Sequence, residues 1–160
     1  MSFKDIFNID PEVKESAHAR VNLIGEHTDY TGGYVLPSLL NFNTTIHISK
    51  NNIKKYQVYS ENFNEKKEFN DFIKSKNNDW IDYVKGCLFV FYNENKHIPN
   101  THLNIFITST IPMGRGISSS SAFFPCSARA LVIFCISSNC SSSSWAKSFK
   151  YCFLCFFTIF

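Results

Sequence analysis

Glu26, His27, Thr28 and Asp29 follow one another within the stretch ARVNLIGEHTDYTGGYVLP, residues 19–37, with Gly25 before them and Gly32 and Gly33 after. Two carboxylates, an imidazole and a hydroxyl so close together offer hydrogen-bond partners to a ligand rich in hydroxyl groups, such as a sugar. Every polar group of such a ligand needs a partner, because an unmatched one keeps the cost of its lost hydration. Arg20, upstream of the cluster, can orient a carboxylate or meet transferred charge. A polar hairpin turn, in which Asp29 and Thr31 bond to their own backbone, is the competing reading and slightly the better one on these residues alone.

A second stretch, PMGRGISSSSA at residues 112–122, carries Gly114, Gly116 and Ser118 to Ser121. Glycines let backbone N–H groups approach a phosphate with no Cβ in the way. A helix starting just after them adds its positive end, and serine hydroxyls can donate to phosphate oxygens or ligate magnesium. The lysine of a Walker loop is absent. A flexible Gly/Ser turn competes at even odds.

The elements that must position these stretches read as a mixture of α and β. Asp10 and Pro11 open a short helix over residues 10–17. RVNLIG (20–25), NTTIHIS (43–49) and KKYQVYS (54–60) read as strands, and NEKKEFNDFIKSKNN (64–78) as polar surface. Asp79 caps a helix over residues 80–94 that places Trp80, Tyr83, Val84, Cys87, Leu88 and Phe91 on one face. HLNIFITS (102–109) alternates, with Leu103, Ile105 and Ile107 on one side, and leads into the Gly/Ser loop.

A length of 160 residues with 44% hydrophobic and 18% charged residues suits a soluble globular domain. The start shows no signal peptide, and no apolar run is long enough for a membrane span, so the expected compartment is the cytoplasm. The net charge of +3 comes from Arg129, Lys147 and Lys150, so nothing resembles a basic nucleic-acid surface. Cys87 precedes residue 122, whereas Cys126, Cys135, Cys140, Cys152 and Cys155 follow it, without the paired C-x-x-C units of a zinc site. After Ala122 there is no Asp or Glu, SSNCSSSSW is low in complexity, and no clean period persists. Residues 123–160 therefore read as an aberrant tail, most simply a frameshifted ending, or else an apolar interaction tail. Pro125 would break the helix expected after the loop, at about 3 kcal/mol.

RVNLIGEHTDYTGGYVLP closely resembles the amino-terminal signature of galactokinases. PMGRGISSSSA resembles the P-x-G-x-G-L-S-S-S-A phosphate motif of the GHMP kinase superfamily, and WIDYVKG resembles the W-x-x-Y-V-K-G helix of galactokinases. The resemblance covers residues 1–122 and stops there. It implies the α+β amino-terminal domain of the GHMP kinase fold, incomplete, with a mixed sheet and helices on one side. A galactose-binding segment would occupy about residues 10–50 and an ATP phosphate loop residues 112–122; residues 123–160 would form no domain. The implied activity is transfer of the ATP γ-phosphoryl group to the anomeric hydroxyl of galactose, with Mg2+.

By position, the resemblance gives Glu26, His27, Thr28 and Asp29 the sugar hydroxyls, and makes Arg20 the catalytic residue that stabilises the transition state. Gly114, Arg115, Gly116, Ile117, Ser118, Ser119 and Ser120 would wrap the ATP phosphates, with the Ser120 hydroxyl as a magnesium ligand. Trp80 would lie near the nucleotide base or, better supported by helical spacing, in the core. The general base is an aspartate that family members carry further along, not His27. One departure is His18-Ala19 where the family has Pro-Gly. If that glycine position needs positive φ, Ala19 is strained by roughly 1–2 kcal/mol.

Galactokinases are more than twice this length, and the base, an acidic magnesium ligand and a second domain belong to the part beyond. Three readings follow: a truncated, inactive kinase; a non-catalytic galactose- or ATP-binding module; or half of a split kinase completed by a separate carboxyl-terminal half. Galactose and ATP are the expected ligands, with neither nucleic acid nor membrane as partner. Residues 1–122 encode only part of a domain whose sheet and helices normally continue; without a central helix and its facing strands the stability margin of an intact domain, about 5–15 kcal/mol, would be used up, and the chain would be insoluble or molten.

Overall fold

A period of two, rather than a helix cap, organises the residues after Pro11. The computed structural model describes residues 1–25, 28, 31–71, 79–94 and 101–112, together with Cys126, Ser127, Ala130, Leu131, Ile133 and Phe134. Helix α1 (Phe3–Phe7) opens the chain. Its capping box is closed by the Asp5 N–H donating to the Ser2 hydroxyl and the Ser2 N–H donating to the Asp5 carboxylate. Strand β1 (Val13–Ile24) then covers residues expected to be helical. Val13 is buried and Ala17 packs on the same core, while Lys14, Ser16 and His18 are exposed. That alternation outweighs the start signal of Asp10 and Pro11, which lie just before the strand.

The remaining elements are β2 (Leu36–Lys50), β3 (Tyr56–Ser60), β4 (Glu65–Phe69), α2 (Ile81–Glu94) and β5 (Leu103–Ser109). They form one sheet in the order β1-β2-β5-β3-β4, antiparallel except for the β3–β5 pair. The strands expected around 20–25, 43–49, 54–60 and 102–109 are all present. β4 lies where polar surface was expected. It is an edge strand whose Glu and Lys side chains keep it from pairing further, and such a strand has little apolar alternation to read.

The core lies mainly on one face. Ile46, Ile48, Tyr56, Val58, Leu103, Ile105 and Ile107 meet Ile81, Val84, Leu88 and Phe91 of α2. Tyr83, expected on that inner face, is 37% exposed. Trp80 is only partly buried at the margin of the core. Its indole N–H donates to Glu65 at 2.9 Å, and its ring stacks on Phe63. That hydrogen bond is the main reason the Glu65 carboxyl sits below its usual range.

The opposite face is not bare, as helices on one side alone would leave it. Phe3 of α1 packs there against Tyr59 and Phe106. β5 is therefore buried on both faces, which is why LNIFI reads as an almost continuous apolar run.

The expectation that residues after Ala122 pack nowhere fails at four positions. Cys126, Ala130, Leu131 and Phe134 are buried members of the main core. Cys126, Ala130 and Phe134 recur every four residues, the spacing of one helical face. The Cys126 thiol also donates to the Glu15 carbonyl at 3.1 Å. These four residues add cover to a core that was expected to lack a central helix. Among the described residues no helix is long and apolar enough to cross a membrane.

Candidate functional site

The residues around Arg20 are placed by the β1–β2 hairpin. β2 pairs with β5 only from Thr44 onward, so residues before it pair with β1 alone and the hairpin projects as a two-stranded ribbon. Two irregularities bend it. Between His18↔Asn43 and Arg20↔Leu39, Ala19 stands opposite three residues of β2; between Asn22↔Pro37 and Ile24↔Leu36, Leu23 is the extra residue. Bulges of this kind re-aim the side chains beside them, and Arg20 follows the first one directly.

Ala19 itself shows no left-handed backbone; among the described non-glycine residues only Asn8 and Asn64 have positive φ. The strain that a Pro-Gly to His-Ala change would cause is therefore absent. The Ala19 methyl is 0% exposed and packs against Ile111, with Leu40 alongside. His18 is held by its Nδ1, 3.2 Å from the Leu40 carbonyl.

Ile111 immediately precedes Pro112 and the Gly/Ser loop, so this small cluster joins the two stretches that sequence reading singled out. A clamp beside it reinforces the junction. The Asn43 N–H donates to the Thr110 hydroxyl at 2.9 Å, and the Thr110 N–H donates to the Asn43 carbonyl at 2.9 Å. Asn43 is in turn the register partner of His18. Sequence reading missed Asn43, Thr110 and Ile111. For Thr110 and Ile111 the signal available was their place, just after a strand that enters a Gly-rich loop; Asn43, inside β2, carried none.

Beyond the ribbon, Gly25 has φ +90°, and a Cβ on it would lie 2.5 Å from the Tyr34 carbonyl oxygen, so only glycine fits there. The Thr28 hydroxyl, expected to face a sugar, lies 3.1 Å from the Gly25 carbonyl and 3.1 Å from the Tyr34 carbonyl. Glu26, His27 and Asp29, and Gly114, Arg115, Gly116, Ile117, Ser118, Ser119 and Ser120, lie outside the described residues. Among those described, no group of three or more His, Cys, Asp or Glu is placed to hold a metal ion.

Residues 1–50 match the family model of the galactokinase galactose-binding signature, and residues 82–148 that of the GHMP kinases N terminal domain. The second match runs across Ala122. A galactokinase of Pyrococcus furiosus is 49% identical over 104 residues, covering 65% of this chain and 28% of that protein. A galactokinase of Fusobacterium nucleatum is 40% identical over 125 residues, covering 75% of this chain and 32% of that protein. The chain thus spans about a third of the length of these curated relatives. The crystal structure of a Lactococcus lactis galactokinase complexed with galactose superposes with a TM-score of 0.72 at 27% identity, over 99% of this chain and 42% of that one. A Methanococcus jannaschii mevalonate kinase shares the fold, with a TM-score of 0.68 at 19% identity.

Proposed function

From its membership of the galactokinase family, of which the chain represents an amino-terminal part, we propose that it carries the galactose-recognition segment and phosphate loop of a cytoplasmic, galactokinase-type sugar kinase. The reaction is transfer of the ATP γ-phosphoryl group to D-galactose, giving galactose 1-phosphate. One observation carries this reading: the burial of Ala19 against Ile111. It brings the residue before Arg20 to the entry of the Gly/Ser loop, so one junction serves a sugar segment and a phosphate loop.

In this reading Glu26, His27 and Asp29 take the sugar hydroxyls, and Arg20 faces the charge of the transferred group. The donors of the Gly/Ser loop fit a triphosphate in kind: backbone N–H groups free of side chains at Gly114 and Gly116, and hydroxyls at Ser118, Ser119 and Ser120. Bound magnesium ATP supplies the phosphoryl group. Ser120 offers the ion one hydroxyl oxygen, and the acidic ligand implied by the resemblance belongs to the part of the family fold beyond this chain.

Phosphoryl transfer depends on positioning and on charge neutralisation around the moving group, and a positioned general base contributes about 10²–10⁴ in rate. The resemblance puts that base beyond this chain as well. We therefore expect galactose binding without turnover. An exposed apolar set on the ribbon, Leu23, Ile24, Leu36 and Leu39, favours completion by the carboxyl-terminal half of the kinase, as a continuation or a separate polypeptide.

The test pairs galactose titration calorimetry with an ADP-release assay in magnesium ATP, run beside an Arg20→Ala, Asp29→Ala double variant. The expected result is galactose binding that the variant loses, and no galactose-dependent ADP release by either protein. Absence of galactose binding by the unaltered chain would overturn the sugar site. Release that vanishes in the variant would overturn the inactive reading and indicate a minimal kinase.

A further inference from the structure

We propose that Thr28 is a positioning residue, the clasp that holds the sugar-recognition loop in shape, rather than one of the groups that bind the sugar; this rests on the sugar site proposed above. In that reading the loop between β1 and β2 presents Glu26, His27 and Asp29. Thr31, Gly32, Gly33 and Tyr34 are all exposed. Exposed residues are shaped by hydrogen bonds rather than by packing, and among the described residues of the loop these bonds converge on Thr28.

The Thr28 N–H donates to the Gly25 carbonyl at 3.1 Å. The Thr28 carbonyl accepts from the Thr31 N–H at 3.2 Å, the Thr31 hydroxyl at 3.1 Å and the Gly33 N–H at 2.9 Å. The Thr28 hydroxyl closes the set by reaching the carbonyls of Gly25 and Tyr34, one on each side of the loop. A hydroxyl has a single proton to donate. Shared between two carbonyls, it leaves none to donate to a sugar oxygen.

The two glycines that flank the clasp fit around the same side chain. A Cβ on Gly25 would stand 2.8 Å from the Thr28 hydroxyl oxygen, and a Cβ on Gly33 would stand 2.6 Å from the Thr28 Cβ. Both distances are shorter than a side chain tolerates. Gly25, Thr28 and Gly33 therefore form one close-packed unit, which explains glycines at these places without any ligand contact. The clasp acts through the geometry of the loop it closes: it brings the carbonyl ends at Gly25 and Tyr34 to a common donor and so limits the conformations open to the residues between them.

The experiment compares the full chain with Thr28→Val, which keeps the shape and removes the hydroxyl, and Thr28→Ser, which keeps the hydroxyl. Hydrogen–deuterium exchange is read without sugar at residues 25–34 and, as a folding control, at β5. Galactose affinity is read by calorimetry. Thr28→Val should speed exchange across residues 25–34, leave β5 unchanged, and weaken galactose binding about tenfold, the size of one lost hydrogen bond. Thr28→Ser should restore both readings to within about twofold. Weaker binding in Thr28→Val with unchanged loop exchange would make the hydroxyl a sugar contact and overturn the proposal. Unchanged exchange and binding would overturn it too, as would a Thr28→Ser variant as impaired as Thr28→Val. If the unaltered chain binds no galactose, the sugar site fails while the exchange comparison still decides the clasp.

Discussion

The body of the sheet and the ribbon that projects from it are made of the same kind of sequence, yet they are held by different forces. In the body, Ile46, Ile48, Ile105 and Ile107 pair across β2 and β5 and bury their side chains under α2 and Phe134. In the ribbon, Leu23, Ile24, Leu36 and Leu39 also lie on strands and are exposed, Leu39 at 72%. An isolated two-stranded hairpin is marginal in water. The ribbon keeps its shape through hydrogen bonds, two bulges and the anchor at Ala19 and Ile111. Apolar strand residues thus specify extended chain, and burial is decided separately by what the tertiary structure lays over them.

The strongest way to break this contrast is to remove the cover from the body. A chain ending at Ala122 loses Cys126, Ala130, Leu131 and Phe134 from the core. Truncating one large buried side chain costs about 2–5 kcal/mol, so losing Leu131 and Phe134 together, with the smaller Cys126 and Ala130, is comparable to the usual stability of about 5–15 kcal/mol. The shortened chain should show no cooperative thermal transition by circular dichroism, whereas the full chain should show one. An unchanged midpoint would mean that the body holds together without these residues.

Single substitutions sharpen the same comparison. Ile105→Ala, at a position 4% exposed in the body, should destabilise by about 2–5 kcal/mol. Leu39→Ala in the ribbon should change stability by no more than about 0.5 kcal/mol. Urea unfolding of both variants checks the pair. Equal losses would show that the ribbon is covered in solution, by another copy or by residues after Phe134.

The smallest expected effect is a pH dependence confined to the body. His47 stacks on Phe106, and neither ring nitrogen has a hydrogen-bond partner among the described residues. Burial, with the Lys14 ammonium as a second cause, holds its pKa below the usual imidazole value. The folded chain therefore takes up a proton less readily than the unfolded one. Stability should fall as pH drops from about 6.5 towards the lowered folded pKa, and then level off with respect to this group. The carboxyls of Asp5, Glu61 and Glu65 are also lowered, by hydrogen bonds foremost from Ser2, Thr108 and Trp80 respectively. Their contribution is lost in a more acidic window, below about pH 5. A His47→Gln variant should remove the upper step and leave the acidic one. An upper step that persists in the variant would assign it elsewhere.

Local pattern made several elements legible. Residues 43–49, 54–60 and 102–109 alternate and are strands; residues 80–94 follow helical spacing, with Val84, Cys87, Leu88 and Phe91 buried as that spacing requires. The two chemistry-bearing stretches were legible as well, since glycines, hydroxyls and ionisable groups in a short run are a local property. The edge strand β4 was not, because exposure at a sheet margin leaves no apolar period to detect, and the helical spacing that included Tyr83 did not show it to be 37% exposed.

What the sequence by itself determined was the periodicity of each segment and the chemistry that residues 19–37 and 112–122 can offer. The tertiary structure alone decided which strand is central, that β1 and not a helix begins at Val13, and that Ala19 meets Ile111, distant from it in the chain. It alone decided that Cys126, Ala130, Leu131 and Phe134 join the core, for the absence of Asp and Glu after Ala122 does not say what a segment packs against. The physical reason is common to all of these. Strand partners and covering helices are chosen by pairings between residues distant in the chain, whereas a local pattern records only the period of each element. Thr28 shows the same division at a single residue: the resemblance assigned it to the sugar, and only the fold of the loop puts its hydroxyl within 3.1 Å of the Gly25 and Tyr34 carbonyls.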